Sequence, residues 1–274
     1  MVEQIIHTPQ DLTYLSWSKI RNSSGIAGSF LKSQEDTADG RIYYKLSDYD
    51  SYHGIVGHES VNEIIADRLL TILDIPHLSY QLIHADILVD NKPIRTWLCA
   101  SRNFRERGES KVALDSFYDS NKLPDESPLD FCIRYGWAEY IHQMLLVDYL
   151  ILNRDRHGAN IEVLINRYRK TVRLASLFDH GVSFYCRSLD DTSLAKEDPM
   201  ADKPVQCFVG SRSAWDNLHL IPQGQYPRVR LLKETDRAVL LADLEDAVSS
   251  YRLERTWEMI WRRWQAYENL RNQG

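Results

Sequence analysis

The feature that most narrows the folds open to this chain is a change of apolar rhythm near residue 128. Before it, short runs alternate apolar and polar residues, as in Arg41-Ile42-Tyr43-Tyr44-Lys45-Leu46, Tyr80-Gln81-Leu82-Ile83 and Ile94-Arg95-Thr96-Trp97-Leu98-Cys99. A side-chain period of two is what a half-buried strand requires. One helix interrupts these strands, from about Ser60 to Leu73: Val61, Ile64, Ile65, Leu69 and Ile72 recur at three- and four-residue steps, and Pro76 marks the exit. After the turn-rich stretch Pro124-Asp125-Glu126-Ser127-Pro128 the rhythm becomes helical, over about 130–152 and again over about 236–272. The expectation is an α+β chain of two lobes, a small β-rich one with a single helix at 1–127 and a larger helical one at 128–274, meeting near 97–102. Residues 187–230, rich in Asp, Ser, Pro and Gly, read as loops and short helices.

A length of 274 residues and a 43% hydrophobic content can fill two such lobes. The net charge of −6 gives no global footprint for nucleic acid, and the cluster Arg102, Arg105 and Arg107 is too short to supply one, so no nucleic-acid partner is expected. Cys99, Cys132, Cys186 and Cys207 lack any zinc-ligand spacing and read as reduced thiols, which places the chain in the cytoplasm. The first ten residues carry Glu3 and no apolar leader, and no window approaches the roughly 18 apolar residues of a membrane span.

Four separated segments carry chemistry. Asn153-Arg154-Asp155-Arg156-His157-Gly158-Ala159-Asn160 sets a carboxylate and a carboxamide five residues apart, the D-x4-N spacing of a kinase catalytic loop. In that reading Asp155 accepts the proton of an acceptor hydroxyl and Asn160 binds a metal. Downstream, the apolar run Ile161-Glu162-Val163-Leu164-Ile165 and then Leu174 to Phe178 lead into Asp179-His180-Gly181, where Asp179 can be aimed at a magnesium ion bridging phosphates. Two strands flanking a turn, with acids at both ends, form a metal-binding hairpin.

Upstream, Ser23-Ser24-Gly25-Ile26-Ala27-Gly28-Ser29 is a small-residue loop whose amides, at Ser24, Gly25, Ala27 and Gly28, can approach phosphate oxygens. Lys45 in the following strand is the candidate phosphate-contacting lysine, with Lys32 its competitor, and Glu63 on the next helix is the candidate to hold it by an ion pair. The run Thr96 to Ser101 falls where the lobes should meet, which assigns the backbone of Cys99 and Ala100 to adenine recognition. The order of loop, lysine, glutamate, D-x4-N and D-x-G points to ATP and Mg2+ as cofactors of a phosphotransferase. Taken one at a time the pieces have plainer explanations. Asp155 between Arg154 and Arg156 could be a surface ion-pair cluster, His157 a brace for the loop, and Trp257, Ile260, Trp261 and Trp264 a helical core face.

The stretch Leu146 to Asn160, with its D-R-H-x-x-N core, resembles the catalytic segment of HipA-type serine/threonine kinases, including their short CtkA-like members. His58-Glu59-Ser60-Val61-Asn62-Glu63 with Leu73-Asp74-Ile75-Pro76, and Leu177-Phe178-Asp179-His180-Gly181, extend the resemblance over most of residues 20–185. The resemblance implies a two-lobed protein-kinase-like fold, ATP, magnesium, a protein substrate with an acceptor Ser or Thr, and a toxin–antitoxin setting with an antitoxin or regulatory partner. It also implies autophosphorylation at Ser23, Ser24 or Ser29, residues that serve equally well as a plain turn. The chain begins too near the Gly/Ser loop to hold the extra N-terminal subdomain of full-length HipA, and no Ala-Pro-Glu segment follows Asp179. D-R-H-x-x-N is also similar to the catalytic loop of phosphoinositide kinases, so a lipid or small-molecule kinase is the second reading, and a nucleotide-binding regulatory pseudokinase the third.

Overall fold

The structure, a computed structural model, describes residues 3–20 and 27–273. Its first part is a six-stranded sheet built from β1 (Ile5–Asp11), β2 (Ser18–Ile20), β3 (Ala27–Thr37), β4 (Gly40–Leu46), β7 (Tyr80–Val89) and β8 (Lys92–Arg102), in the order β1-β7-β8-β4-β3-β2. All neighbours are antiparallel except β1 and β7. A two-stranded ribbon, β5 (Tyr49–Asp50) and β6 (Gly54–Ile55), leads into helix α1 (Glu59–Leu73).

Alternation along the strands sorts the sheet's two faces. Ile83, Ala85, Ile87, Leu98, Tyr44 and Leu46 point to one side, where they pack with Leu12, Leu15 and Leu31 into a small core. Leu82 and Cys99 point to the other and meet Ile64, Ile65, Leu69 and Leu73 of α1 in the main core. Fully burying each such aliphatic side chain stabilises by about 1.5–3 kcal/mol. α1 ends with Asp74 in the left-handed region (φ 59°), where Ile75 N–H donates to Leu70 O (2.9 Å) and Asp74 N–H to Thr71 O (3.2 Å), a Schellman closure followed by Pro76.

After β8 the chain changes partners. β9 (Glu109–Ala113) pairs with β11 (Glu162–Asn166), which pairs in turn with β12 (Thr171–Leu174), and helix α2 (Leu114–Asn121) packs beside them. The strand pairing changes at 103–108, and α2 is a second helix ahead of residue 128. The Pro-rich turn is a local feature of the helical part; the partner of a strand is set by tertiary pairing, which period-two patterning does not encode.

The helical part also divides more finely than its rhythm predicts. Residues 130–152 form α3 (Pro128–Arg134) and α4 (Ala138–Ile151), separated where Gly136 takes φ 77°. That turn lets the Tyr135 and Trp137 rings meet at a tilt, 4.8 Å apart, beside Phe131 and Phe117. β10 (Asp155–Arg156) pairs with β13 (Gln206–Cys207). Between and after these lie the short helices α5 (Asp191–Leu194), α6 (Ala214–Leu218) and α7 (Arg237–Leu241). The last helix, α8 (Ser250–Asn272), begins anew because Ser249 caps it, its hydroxyl accepting from Arg252 N–H at 3.2 Å. Trp257, Ile260 and Trp264 of α8 are core residues. The four cysteines are free thiols. Among the described residues no helix is long and apolar enough to cross a membrane.

Candidate active site

The pleat of β4 that buries Tyr44 and Leu46 sends Lys45 to the opposite face, toward α1. There its Nζ lies 3.1 Å from Glu63 Oε1 and 2.5 Å from Asp179 Oδ1. Burial disfavours the ammonium charge, but the Asp179 and Glu63 carboxylates outweigh it, and the lysine pKa is raised. Glu63 is fully buried, and that burial raises its pKa although Lys45 opposes the shift. The Phe30 ring lies 5.0 Å from Lys45 Nζ.

The Asp179 turn is fastened to α1 by its backbone. Glu63 Oε2 accepts from His180 N–H at 2.8 Å, and the Asn62 amide donates to Gly181 O (2.8 Å) and Ser183 O (3.2 Å). Asp179 adopts φ 58°, and its N–H donates to Tyr80 Oη (3.3 Å). Gly181 is needed for close approach: a Cβ there would sit 3.0 Å from Glu59 Cβ and 3.2 Å from Glu59 O and Glu63 Oε1. Buried His180 is kept neutral, its pKa pushed well down by burial and by Arg156.

A second Schellman closure aims the other loop. α4 ends with Leu152 in the left-handed region (φ 49°), and Asn153 N–H donates to Asp148 O (2.9 Å). The Asn153 side chain then donates to Asp148 Oδ1 (2.9 Å) and accepts from Asp155 N–H (3.1 Å). Arg156, only 1% exposed, grips Asp148 through Nε (2.9 Å) and Nη2 (3.0 Å), while Nη1 donates to Asn160 O (3.2 Å) and Phe178 O (2.8 Å). One guanidinium thus joins helix, loop and the segment just before Asp179, a geometry suited to its planar fork. Burial works against its charge, and Asp148 more than restores it.

Asp155 stands on this frame with its carboxylate 3.2 Å from Asn160 Nδ2 and 3.5 Å from His157 Nε2. Burial raises its pKa, His157 lowers it and Asp179 raises it further, which puts the two carboxylates within reach of each other's charge. The Asn160 amide NH2 donates to Asp155 O (2.8 Å) and Oδ2 (3.2 Å), and the carbonyl oxygen is the atom of this side chain with the chemistry of a cation ligand. Carboxylate and amide oxygens are hard donors suited to magnesium. Among the described residues no three His, Cys, Asp or Glu side chains form a cage, so a cation here would draw its remaining ligands from water and phosphate, as magnesium does.

Lys45, Glu63 and Asp179 are thus in contact, with Asp155 and Asn160 beside them. Cys99 and Ala100 border this group through the sheet, the Cys99 thiol lying 3.7 Å from Lys45 O. They lie inside β8, with Cys99 opposite Lys45 on one side and Leu82 on the other, so the sheet occupies the backbone that the sequence leaves open to adenine. The chain leaves the sheet after Asn103, whose N–H still donates to Arg41 O (3.2 Å), and the Phe104 ring then stacks on Phe178 at 5.7 Å. Ser23, Ser24 and Gly25 lie outside the described residues; Ala27, Gly28 and Ser29 open β3. Sequence reasoning places Asp148 in the apolar helix before the loop without giving it a partner, and does not single out Asn62, Tyr80 or the role of Arg156. A charged residue inside the apolar helix 138–151 was the available signal, because a buried acid demands a partner.

This sheet with its lysine strand and helix, joined to a helical part that carries the D-x4-N and D-x-G turns, defines a two-lobed α+β fold of the protein-kinase type. Among solved structures, the proinflammatory kinase CtkA of Helicobacter pylori has the same fold, with a TM-score of 0.65 over 93% of this chain and 93% of that one, at 15% identity. HipA from a Shewanella oneidensis MR-1 toxin–antitoxin complex with HipB and operator DNA aligns more distantly, with a TM-score of 0.39 over 88% of this chain and 57% of that one, at 13% identity. No family model and no curated protein matches the sequence.

Proposed function

We propose that this chain is an ATP- and magnesium-dependent phosphotransferase acting on serine or threonine of a protein. The observation that carries the reading is the contact of Lys45 with both Glu63 and Asp179, on a loop frame that also fixes Asp155 and Asn160. Phosphoryl transfer asks a protein for charge neutralisation and positioning more than for covalent chemistry. Lys45, oriented by Glu63, would meet phosphate oxygens; Asp179 and the Asn160 carbonyl oxygen would hold the cation, whose charge offsets that of the phosphates. Residues 103–108 would offer the nucleobase its backbone in place of Cys99 and Ala100. Asp155 would accept the hydrogen of the incoming hydroxyl and orient its oxygen for attack.

The test uses purified protein, Mg2+ and γ-labelled ATP, with a lysate and synthetic serine, threonine and tyrosine peptides as acceptors. Label should appear on serine or threonine, and Asp155→Asn should lower the rate at least about a hundredfold, the lower end of general-base contributions, with an unchanged melting temperature. Because burial holds the Asp155 pKa above the ordinary aspartate range, transfer should decline as pH falls through that raised value, and the residual activity of Asp155→Asn should lack this limb. Equal labelling by wild type and Asp155→Asn would remove Asp155 from the mechanism. Label confined to lipid vesicles or small alcohols would transfer the reading to a lipid or small-molecule kinase.

A further inference from the structure

Residues 102–111 and 162–173 carry eight arginines and lysines against three glutamates, in a chain of net charge −6. The pairing of β9 with β11 brings these two segments, some sixty positions apart, onto one surface. The three glutamates are already engaged: Glu162 with Lys111 (2.6 Å), Glu106 with Arg169 (2.9 Å) and Glu109 with Arg173 (2.8 Å). Arg102 pairs with Asp39 (4.0 Å), and Arg105, Arg107, Arg167 and Lys170 remain, all exposed and without an ion pair among the described residues.

On the same surface stands Tyr168, 92% exposed at the tip of the β11–β12 hairpin. The tip is a built turn. Buried Asn166 accepts through Oδ1 from Tyr168 N–H (3.1 Å) and Arg169 N–H (3.0 Å), and Lys170 closes it at φ 54°. The Tyr168 ring leans toward the 103–108 loop, so that a Cβ on Gly108 would lie 3.7 Å from its Cδ2. Folding therefore holds an aromatic side chain out in water on the surface that also carries Arg105, Arg107, Arg167 and Lys170.

An acidic protein surface would need the charges alone. An exposed aromatic ring on a surface that carries unpaired cations has a second complement, the stacked base with its phosphates. We propose that the β11–β12 tip, with the facing 103–108 loop, binds single-stranded nucleic acid. The five residues of β11 separate the tip from Asn160 by roughly 17 Å at the usual strand rise, so the hairpin tip docks a partner at a distance from Asp155, while the 103–108 loop is shared with the nucleobase site of the proposed reaction.

The experiment is fluorescence anisotropy of the full chain with labelled 20-nucleotide oligo(U) and oligo(dT) between 50 and 200 mM salt, beside labelled polyglutamate and anionic vesicles. With about four phosphates neutralised, log K for whichever oligonucleotide binds should fall against log salt with a slope of roughly −3. Tyr168→Ala should weaken binding about tenfold with the slope unchanged, and joint Arg105→Ser, Arg107→Ser, Arg167→Ser and Lys170→Ser substitution should flatten it. All these positions are exposed turn or loop sites, and melting temperature verifies the fold of each variant. The proposal is overturned if neither oligonucleotide binds, or if Tyr168→Ala binds as wild type does. It is equally overturned if polyglutamate or vesicles are bound as tightly as the oligonucleotides, since charge alone would then account for the surface.

Discussion

Glu63 has no solvent to fall back on, so its charge depends on Lys45. In Lys45→Met the buried carboxylate must either stand unpaired or take up a proton, and losing one member of a buried pair costs roughly 3–5 kcal/mol. The folded-state pKa of Glu63 is already raised by burial, and removing the ammonium raises it further. A raised acid pKa means the folded state binds more protons than the unfolded chain between the two pKa values, so stability falls as pH rises through that window. The loss read by urea denaturation should accordingly be larger at pH 8 than at pH 5, and adding Glu63→Gln should recover most of it at pH 8. An equal loss at both pH values would assign the effect to packing. Arg156 poses the complementary case. Arg156→Lys keeps the charge but cannot span both Asp148 oxygens and two carbonyls, and we expect a loss of roughly 3 kcal/mol in the same measurement.

The elements act as holders for single side chains. α1 supplies Glu63 to the lysine and, one residue earlier, Asn62 to the backbone beyond Asp179, so the helix and the D-x-G turn move as one piece. Gly181→Ala tests that coupling. Its Cβ would press on the α1 backbone at Glu59 and on the Glu63 carboxylate, and overpacking of this kind costs roughly 1–3 kcal/mol. The displaced Asp179 should lower kcat by more than the melting temperature suggests, and an unchanged kcat would separate the turn from catalysis. α4 plays the same part for the other loop, since the left-handed residue at its end sets the direction in which Asn153 and Asp155 leave the core.

At the scale of the molecule, the two parts are joined by contacts at the site and by a second seam behind it, where Arg68 of α1 donates to Leu240 O and Ala242 O, and Arg230 to Ile72 O. A ligand that bridges the sheet and the D-x-G turn should therefore stabilise the whole chain. ATP with Mg2+ at a hundred times its dissociation constant contributes about 2.7 kcal/mol, equivalent to a rise in melting temperature of about 5–10 °C for a chain of this size. Asp179→Asn should lose the magnesium-dependent share of that rise, and an unchanged magnesium response would place the cation elsewhere.

Much of this organisation was legible in order along the chain. Strand rhythm, the α1 stripe and the spacing from Asp155 to Asn160 are local, because a side-chain period and a loop spacing are properties of neighbouring residues. The Lys45–Glu63 pair was legible for the same reason, since consecutive elements usually pack together. Partnership between distant segments was not. The chain's rhythm cannot state that β9 joins β11, that β8 uses up the backbone of Cys99 and Ala100, or that Arg156 finds Asp148 and Phe178. Those outcomes depend on which surfaces bury each other, a sum over the whole fold. The same sum gathers Arg105, Arg107, Arg167 and Lys170, each unremarkable in its own stretch, onto one surface with Tyr168. The sequence by itself determined which chemistry the chain can carry; the tertiary structure decided which groups meet.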